Sequence, residues 1–254
     1  MKVFMQLLIS VKNCQEALLA LSAEADVIDL KDPNLGAVGA LNLQATEKIV
    51  QAIGRRAIVS ATVGEGHASL RTLVGDIQKR ADLGVDIVKI AISPLFDDAD
   101  FYTEMQALTK QNIKLVALFF ADVTLDAQLL AKLKMAGFYG AMLDTQEKQF
   151  SLLDLKPKSF LREFVRDCEQ NHLISGLAGS LKPQDVEILQ KFSPTFIGFR
   201  GGVCELGMRK SALEAKKISE IKKMLLKHNK INGLAQKSLV LALHSALSLG
   251  IVDE

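Results

Sequence analysis

The sequence predicts an α/β fold of the (β/α)8 TIM barrel class, and three observations point to it. Short apolar runs alternate with stretches of helical periodicity, which indicates a parallel sheet. Eight such units fit into about 225 residues, close to the usual span of a closed barrel. Four of the apolar runs end in charge: Ala25–Lys31 in Asp29 and Lys31, Val85–Lys89 in Lys89, Gly140–Asp144 in Asp144, and Phe196–Arg200 in Arg200. Buried strands rarely carry such groups, so these strand ends are expected to meet around a polar site. An open doubly wound sheet is the alternative, but no Gly-x-Gly-x-x-Gly follows the first strand.

Taken in order, the first strand is Val3–Ile9. The run from Met1 to Ile9 has no small-residue cleavage site and continues straight into Ser10, so a strand is expected there rather than an export signal. A helix near 13–23 follows, then strand Val27–Leu30 and a helix near 43–53. Strand Ala57–Thr62 leads to a helix near 68–83, and Ile87–Ile92 to one near 99–110. Lys114–Phe119 precedes a helix near 124–136, and Ala141–Leu143 one near 156–171. Leu173–Leu177 and Phe196–Phe199 complete the set, with helices near 182–191 and 208–227. No Pro-, Gly- or Ser-rich linker interrupts the pattern, so residues 1–227 read as one barrel. Residues 228–254 read as a helical extension, with a break at Lys230–Gly233 and a last helix over 234–249. It is expected to pack on the barrel exterior, with a homo-oligomer interface as the other use open to it.

Composition narrows the function. The 254 residues are 49% hydrophobic, long enough for one large core. Aromatics are 6%, Trp is absent and the net charge is +2, and no basic run with interleaved aromatics occurs, so no nucleic-acid partner is expected. No apolar run is long enough to span a membrane. Cys14, Cys168 and Cys204 show neither metal-ligand nor disulfide spacing, which fits a reducing cytoplasm and a site without metal. The four histidines do not cluster.

In a barrel of this kind, active sites form at the C-terminal strand ends. Asp29 and Lys31 are two residues apart and share a face of strand 2. Lys89 ends strand 4, Asp144 strand 6 and Arg200 strand 8. All are even strands, and one layer of a barrel draws on alternate strands, so a single charged layer at the barrel mouth is expected. Such a layer offers amine catalysis: a neutral lysine attacks a carbonyl to form a Schiff base. Neighbouring lysines and desolvation favour the neutral amine, whereas an opposed carboxylate favours the cation. The plainer reading is that Lys31 and Lys89 form ion pairs with Asp29 and Asp144 and simply close the barrel end.

A phosphate signal lies elsewhere. Strand 7 runs into Gly176-Leu-Ala-Gly179-Ser180-Leu-Lys182 and strand 8 into Arg200-Gly201-Gly202. Loops after these two strands commonly bind phosphate in this fold. Gly179, Ser180, Gly201 and Gly202 would offer backbone N–H groups, and Arg200 a bidentate contact. Lys148, four residues past Asp144, is within reach of the site, with solvent exposure as its default. Ser60 and Thr62 could add hydroxyls after strand 3, and Asp122 after strand 5 an acid or base, with a turn or helix cap as the alternative for each. Asp32-Pro33-Asn34-Leu35-Gly36 is a candidate loop over the pocket.

These segments also resemble those of the (5-formylfuran-3-yl)methyl phosphate synthases. The resemblance rests on Asp29-Leu-Lys31-Asp-Pro33 with Gly36-Ala-Val-Gly39, then Ser60–Gly64, Val88-Lys89, Ala121-Asp122, Ala141–Thr145, Leu177–Ser180 and Gly198–Cys204, in order over roughly residues 5–225. It implies a class I aldolase-like barrel that joins two molecules of glyceraldehyde 3-phosphate, with loss of phosphate and water, into the furan precursor of methanofuran. It implies further that Lys31 forms the Schiff base, that Lys89 transfers protons, and that Asp29, Asp144 and Lys148 support them. No cofactor is needed on this reading. Lys148-Gln-Phe150 and Phe119-Phe120 depart from the family pattern. A Schiff-base aldolase for another sugar phosphate and a non-catalytic phosphometabolite-binding barrel stay open as alternatives.

Overall fold

The computed structural model describes residues 5–92, 98–121 and 128–230. Eight parallel strands, β1 (Gln6–Val11), β2 (Val27–Leu30), β3 (Ile58–Thr62), β4 (Ile87–Ala91), β5 (Leu115–Phe120), β6 (Gly140–Asp144), β7 (Ile174–Leu177) and β8 (Phe196–Phe199), pair in sequence order and close into a barrel. The closing ladder aligns Gln6 with Phe196 and Ile9 with Phe199. The expected fold class is therefore the observed one.

Around the barrel run α1 (Cys14–Ser22), α2 (Leu43–Ile53), α3 (Leu70–Asp82), α4 (Ala99–Lys110), α5 (Leu129–Met135), α6 (Leu152–Leu155), α7 (Lys158–Gln170), α8 (Val186–Leu189) and a last helix over 215–230, α9. Their starts are written locally. The side chains of Asn13, Asn42, Ser69 and Asp98 accept from the N–H groups of Glu16, Ala45, Thr72 and Phe101, satisfying donors that a helix start otherwise strands. On α7 the buried residues Leu161, Phe164, Val165 and Cys168 form one stripe at helical spacing.

Alternation along the strands splits the core in two. Outward residues such as Leu7, Ile9, Ile28, Leu30 and Val88 join the helices in one continuous cluster. Inward residues Leu8, Val27, Ile87, Val116, Leu118, Met142 and Phe196 fill the barrel. Gly176 on β7 faces inward too: a methyl group there would stand 2.3 Å from the Phe196 ring, so the ring occupies the space a side chain would need.

The N-terminal end of the barrel is stapled by polar side chains just ahead of the strands. Asp26 accepts from the N–H of Leu7 at 2.8 Å, and Asp86 accepts from that of Val59 at 2.8 Å. Lys222 on α9 meets the other oxygen of Asp26 at 2.5 Å, tying the last helix to the barrel floor.

Two expected helices differ in extent. The segment expected as one helix near 182–191 is two short 3-10 turns flanking α8. The helix expected from 208 begins at 215, because Leu206 and Gly207 adopt positive φ and residues 208–214 form a loop. The expected helix over 234–249, and Asp122, lie outside the described residues.

Candidate active site

β2 aims Asp29 and Lys31 at the barrel axis, and the rest of the site assembles around them. Asp29 receives the Lys89 ammonium at 2.6 Å and the hydroxyls of Ser10 at 2.8 Å and Ser60 at 2.7 Å. Both members of this pair are almost fully buried. Lys31 donates to Asp144 at 3.0 Å. The second oxygen of Asp144 takes Lys148 at 2.6 Å and the N–H of Thr145 at 2.7 Å. Lys148 also donates to the Thr145 carbonyl.

The expectation of one charged layer is corrected to two. Residues two apart on a strand occupy successive levels of its inner face, so Asp29 and Lys31 cannot lie in the same layer. The register aligns Asp29 with Ser60 and Lys89 with Thr62, two residues further on. Strand tilt in a closed barrel absorbs that climb, so Lys89 comes level with Asp29. The lower level is Asp29–Lys89. The upper is Lys31–Asp144, joined from the loop by Lys148.

Three ammonium groups (Lys31, Lys89, Lys148) thus face two carboxylates (Asp29, Asp144), an excess of one positive charge if all are ionised. Burial pulls Lys89 below the ordinary lysine value of 10.5, the nearby Lys31 charge adds to this, and Asp29 opposes both without cancelling them. Lys148 is lowered in the same way, by burial first, against the pull of Asp144. Asp29 and Asp144 stay below the usual carboxylate value: burial pushes each up, and the surrounding lysines outweigh it. Lys89 and Lys148 thus give up a proton more readily than an ordinary lysine, beside carboxylates that remain charged, which suits proton transfer.

Above the upper level opens a pocket of about 560 Å³. Lys31, Asp144 and Lys148 form its base, and Gly179, Ser180, Gly201 and Gly202 line one wall. Gly179 has φ +114°, and a methyl group on it would lie 2.7 Å from Thr145, so only glycine fits that turn. No hydrogen-bond acceptor among the described residues meets the N–H groups of Gly179, Ser180, Gly201 or Gly202. Four N–H groups on one wall of the pocket are thus left without a protein acceptor among those residues. The Ser180 hydroxyl is used otherwise, donating to the Lys148 carbonyl at 2.9 Å.

Other candidates fall in different places. Ser60 belongs to the lower charged level. The Thr62 hydroxyl donates to the Gly39 carbonyl at 3.2 Å and braces the loop after β2. The bidentate phosphate contact expected of Arg200 is corrected: its guanidinium is spent inside the fold. It donates to both oxygens of Glu16 and to the carbonyls of Ser10 (3.1 Å), Arg209 (2.7 Å) and Ser211 (3.2 Å). Sequence reasoning missed Ser10, Lys182, Arg209 and Lys217, all of which line the pocket. Extending the inward alternation of Leu8 by one step finds Ser10. The others sit in loops or helix ends with no periodic signal. Among the described residues, no group of three or more His, Cys, Asp or Glu side chains is placed to hold a metal ion, and no helix is long and apolar enough to cross a membrane.

Comparison with known proteins places this geometry in context. The sequence model of the 4-HFC-P synthase family matches residues 7–222. A Methylorubrum extorquens protein named "Putative (5-formylfuran-3-yl)methyl phosphate synthase" is 38% identical over 216 residues, covering 85% of this chain and 89% of that protein. The (5-formylfuran-3-yl)methyl phosphate synthase of Methanococcus aeolicus is 31% identical over 236 residues, covering 85% of this chain and 97% of its own. Among solved structures, 3-hexulose-6-phosphate synthase from Salmonella typhimurium aligns with a TM-score of 0.62 at 17% identity, over 88% of this chain and 100% of that one. Phosphoribosyl anthranilate isomerase from Thermus thermophilus aligns at 0.63 and 14% identity, over 88% of this chain and 99% of that one. Both likenesses speak to the fold alone.

Proposed function

The chain belongs to the 4-HFC-P synthase family, and from that premise we propose that it condenses two molecules of glyceraldehyde 3-phosphate into (5-formylfuran-3-yl)methyl phosphate, as a Schiff-base-forming lyase of methanofuran biosynthesis. The observation that carries the proposal is Lys31, at the base of a pocket whose wall offers four N–H groups without a protein acceptor among the described residues, with Asp144 beside Lys31 and Lys148 on the other oxygen of Asp144.

The Lys31 amine adds to the carbonyl carbon of one triose phosphate, and water leaves to give an iminium. The neighbouring C–H becomes acidic, and Lys89 on the level below takes its proton. The enamine carbon then attacks the aldehyde of the second triose phosphate, forming the new C–C bond. Protons passed through Lys89, Asp29 and Asp144 assist departure of phosphate and water and release of the lysine. Ring closure gives the furan. The cradle of Gly179, Ser180, Gly201 and Gly202, with Lys148 beside it, holds substrate phosphate. Asp144 loses no partner at the covalent step, since an iminium keeps the positive charge of the ammonium it replaces.

Borohydride reduction in the presence of glyceraldehyde 3-phosphate, followed by peptide mass mapping, tests this. The expected adduct is on Lys31 and is lost in Lys31→Ala. An adduct on Lys89 alone reverses the two lysine roles, and none at all sinks the Schiff-base reading. Furan absorbance developing from glyceraldehyde 3-phosphate as sole substrate separates the synthase from an ordinary aldolase.

A further inference from the structure

Two arginines stand at the β8 side of the pocket and differ in one respect. Arg200 uses every N–H it has: a guanidinium carries five, and all five meet acceptors on Glu16, Ser10, Arg209 and Ser211. Nothing remains for a ligand. Arg209 makes one side-chain hydrogen bond among the described residues, to the Gly36 carbonyl at 2.9 Å, and lines the pocket half-exposed. A methyl group on Gly201 would lie 3.7 Å from its Cβ, so it rises directly beside the cradle.

The backbone that carries Arg209 is pinned to an unusual degree. Three consecutive carbonyls are held by cations from outside the loop: Arg209 by Arg200 at 2.7 Å, Lys210 by Lys12 at 2.5 Å, and Ser211 by Arg200 at 3.2 Å. Both cations are in turn fixed on Glu16, a buried residue of α1, with Lys12 3.6 Å from it. An exposed surface loop needs no such anchoring. A loop that must hold one side chain over a ligand does, because misplacement of a charged contact by an ångström weakens it severely.

We propose that Arg209 is the guanidinium that binds substrate phosphate, closing over the cradle from the loop after β8, and that Glu16 and Arg200 are positioning residues that aim it. Its four remaining N–H groups suit a phosphomonoester dianion, with two of them able to form a fork on its oxygens. Its bond to the Gly36 carbonyl ties it to the loop after β2, and it lines the same pocket as Lys31. The anion is thus held between the cradle and the reactive amine. This rests on the phosphorylated-substrate reading above and refines it.

The test reads binding, not turnover. Inorganic phosphate is titrated calorimetrically into the full chain and into variants shown folded by circular dichroism. Arg209→Ala is expected to weaken phosphate binding about tenfold or more, the scale of a lost charge-assisted contact, and Arg209→Lys to recover part of it. Arg200→Lys is expected to weaken binding in the wild-type background and to add nothing in the Arg209→Ala background, the signature of a residue acting through another. Glu16→Gln, expected to behave the same way, serves if Arg200→Lys does not fold. Unchanged affinity in Arg209→Ala overturns the proposal, and so does an equal loss from the Arg200 change in both backgrounds. Lys31 trapping by phosphate-free glyceraldehyde is expected to survive Arg209→Ala. Trapping that fails in the wild type itself tells against the Schiff-base reading and leaves the phosphate assignment to be judged on the calorimetry.

Discussion

Lys89 is the residue whose environment makes the sharpest claim. Its amine is held by one carboxylate and almost wholly buried in the barrel, and burial outweighs that partner, so its pKa lies under 10.5. Between the folded value and 10.5 the unfolded chain binds a proton that the folded chain does not, so unfolding free energy rises with pH across that window. Wild type is therefore expected to gain stability relative to Lys89→Met as pH climbs toward 10.5, measured by urea melts at several alkaline pH values. If Lys89 is the base, the rate should rise with pH to a plateau whose midpoint lies under 10.5. Lys89→Met should lose about 10²- to 10⁴-fold in kcat while Lys31 still traps with borohydride; loss of both together would refute the division of roles. Asp29 gives a slope of the same sign at the acid end. Its lowered value contributes stability above the ordinary 3.8, lost as pH falls through the folded value.

At the scale of elements, strands and helices were legible because each writes its own period and its own caps. That the charges ending β2, β4 and β6 face one another inside the barrel was legible too, since alternation fixes the face of each residue. Depth was harder to read. That Asp29–Lys89 and Lys31–Asp144 stack at two levels depends on register between strands, which no single strand records. The loop over 208–214 was read as helix because its residues suit one; what holds it open is a set of bonds from Arg200 at the end of β8 and from Lys12, far away in sequence. For the same reason Arg200, next to two glycines, looked like a phosphate ligand, and Arg209 drew no notice. Packing between strands yields its own test. A methyl group on Gly176 would meet the Phe196 ring at 2.3 Å and Met142 at 2.8 Å. Gly176→Ala should cost about 1–3 kcal/mol as those side chains are forced aside, seen as a lower thermal midpoint. An unchanged midpoint would mean that the inner core relaxes freely.

Across the whole molecule, the cores inside and outside the barrel wall share the same eight strands, so neither is expected to open without the other. Cys168 reports on this. It is the last residue of the buried stripe of α7, fully enclosed, and burial raises its thiol to about 12. A thiol so placed should react with an alkylating reagent only through unfolding of the barrel, at a rate that follows global stability in urea. The half-buried Cys14 should react sooner; labelling of Cys168 as fast as Cys14 in native buffer would show that α7 detaches alone. The stacked charge levels also divide the chain unequally. A cut between α4 and β5 would leave Asp29, Lys89 and Lys31 on one fragment and Asp144 and Lys148 on the other. The lower pair is then complete within a half-barrel, whereas the upper pair exists only where the halves meet. Complementation between the fragments would thus rebuild the setting of Lys31 at the seam itself.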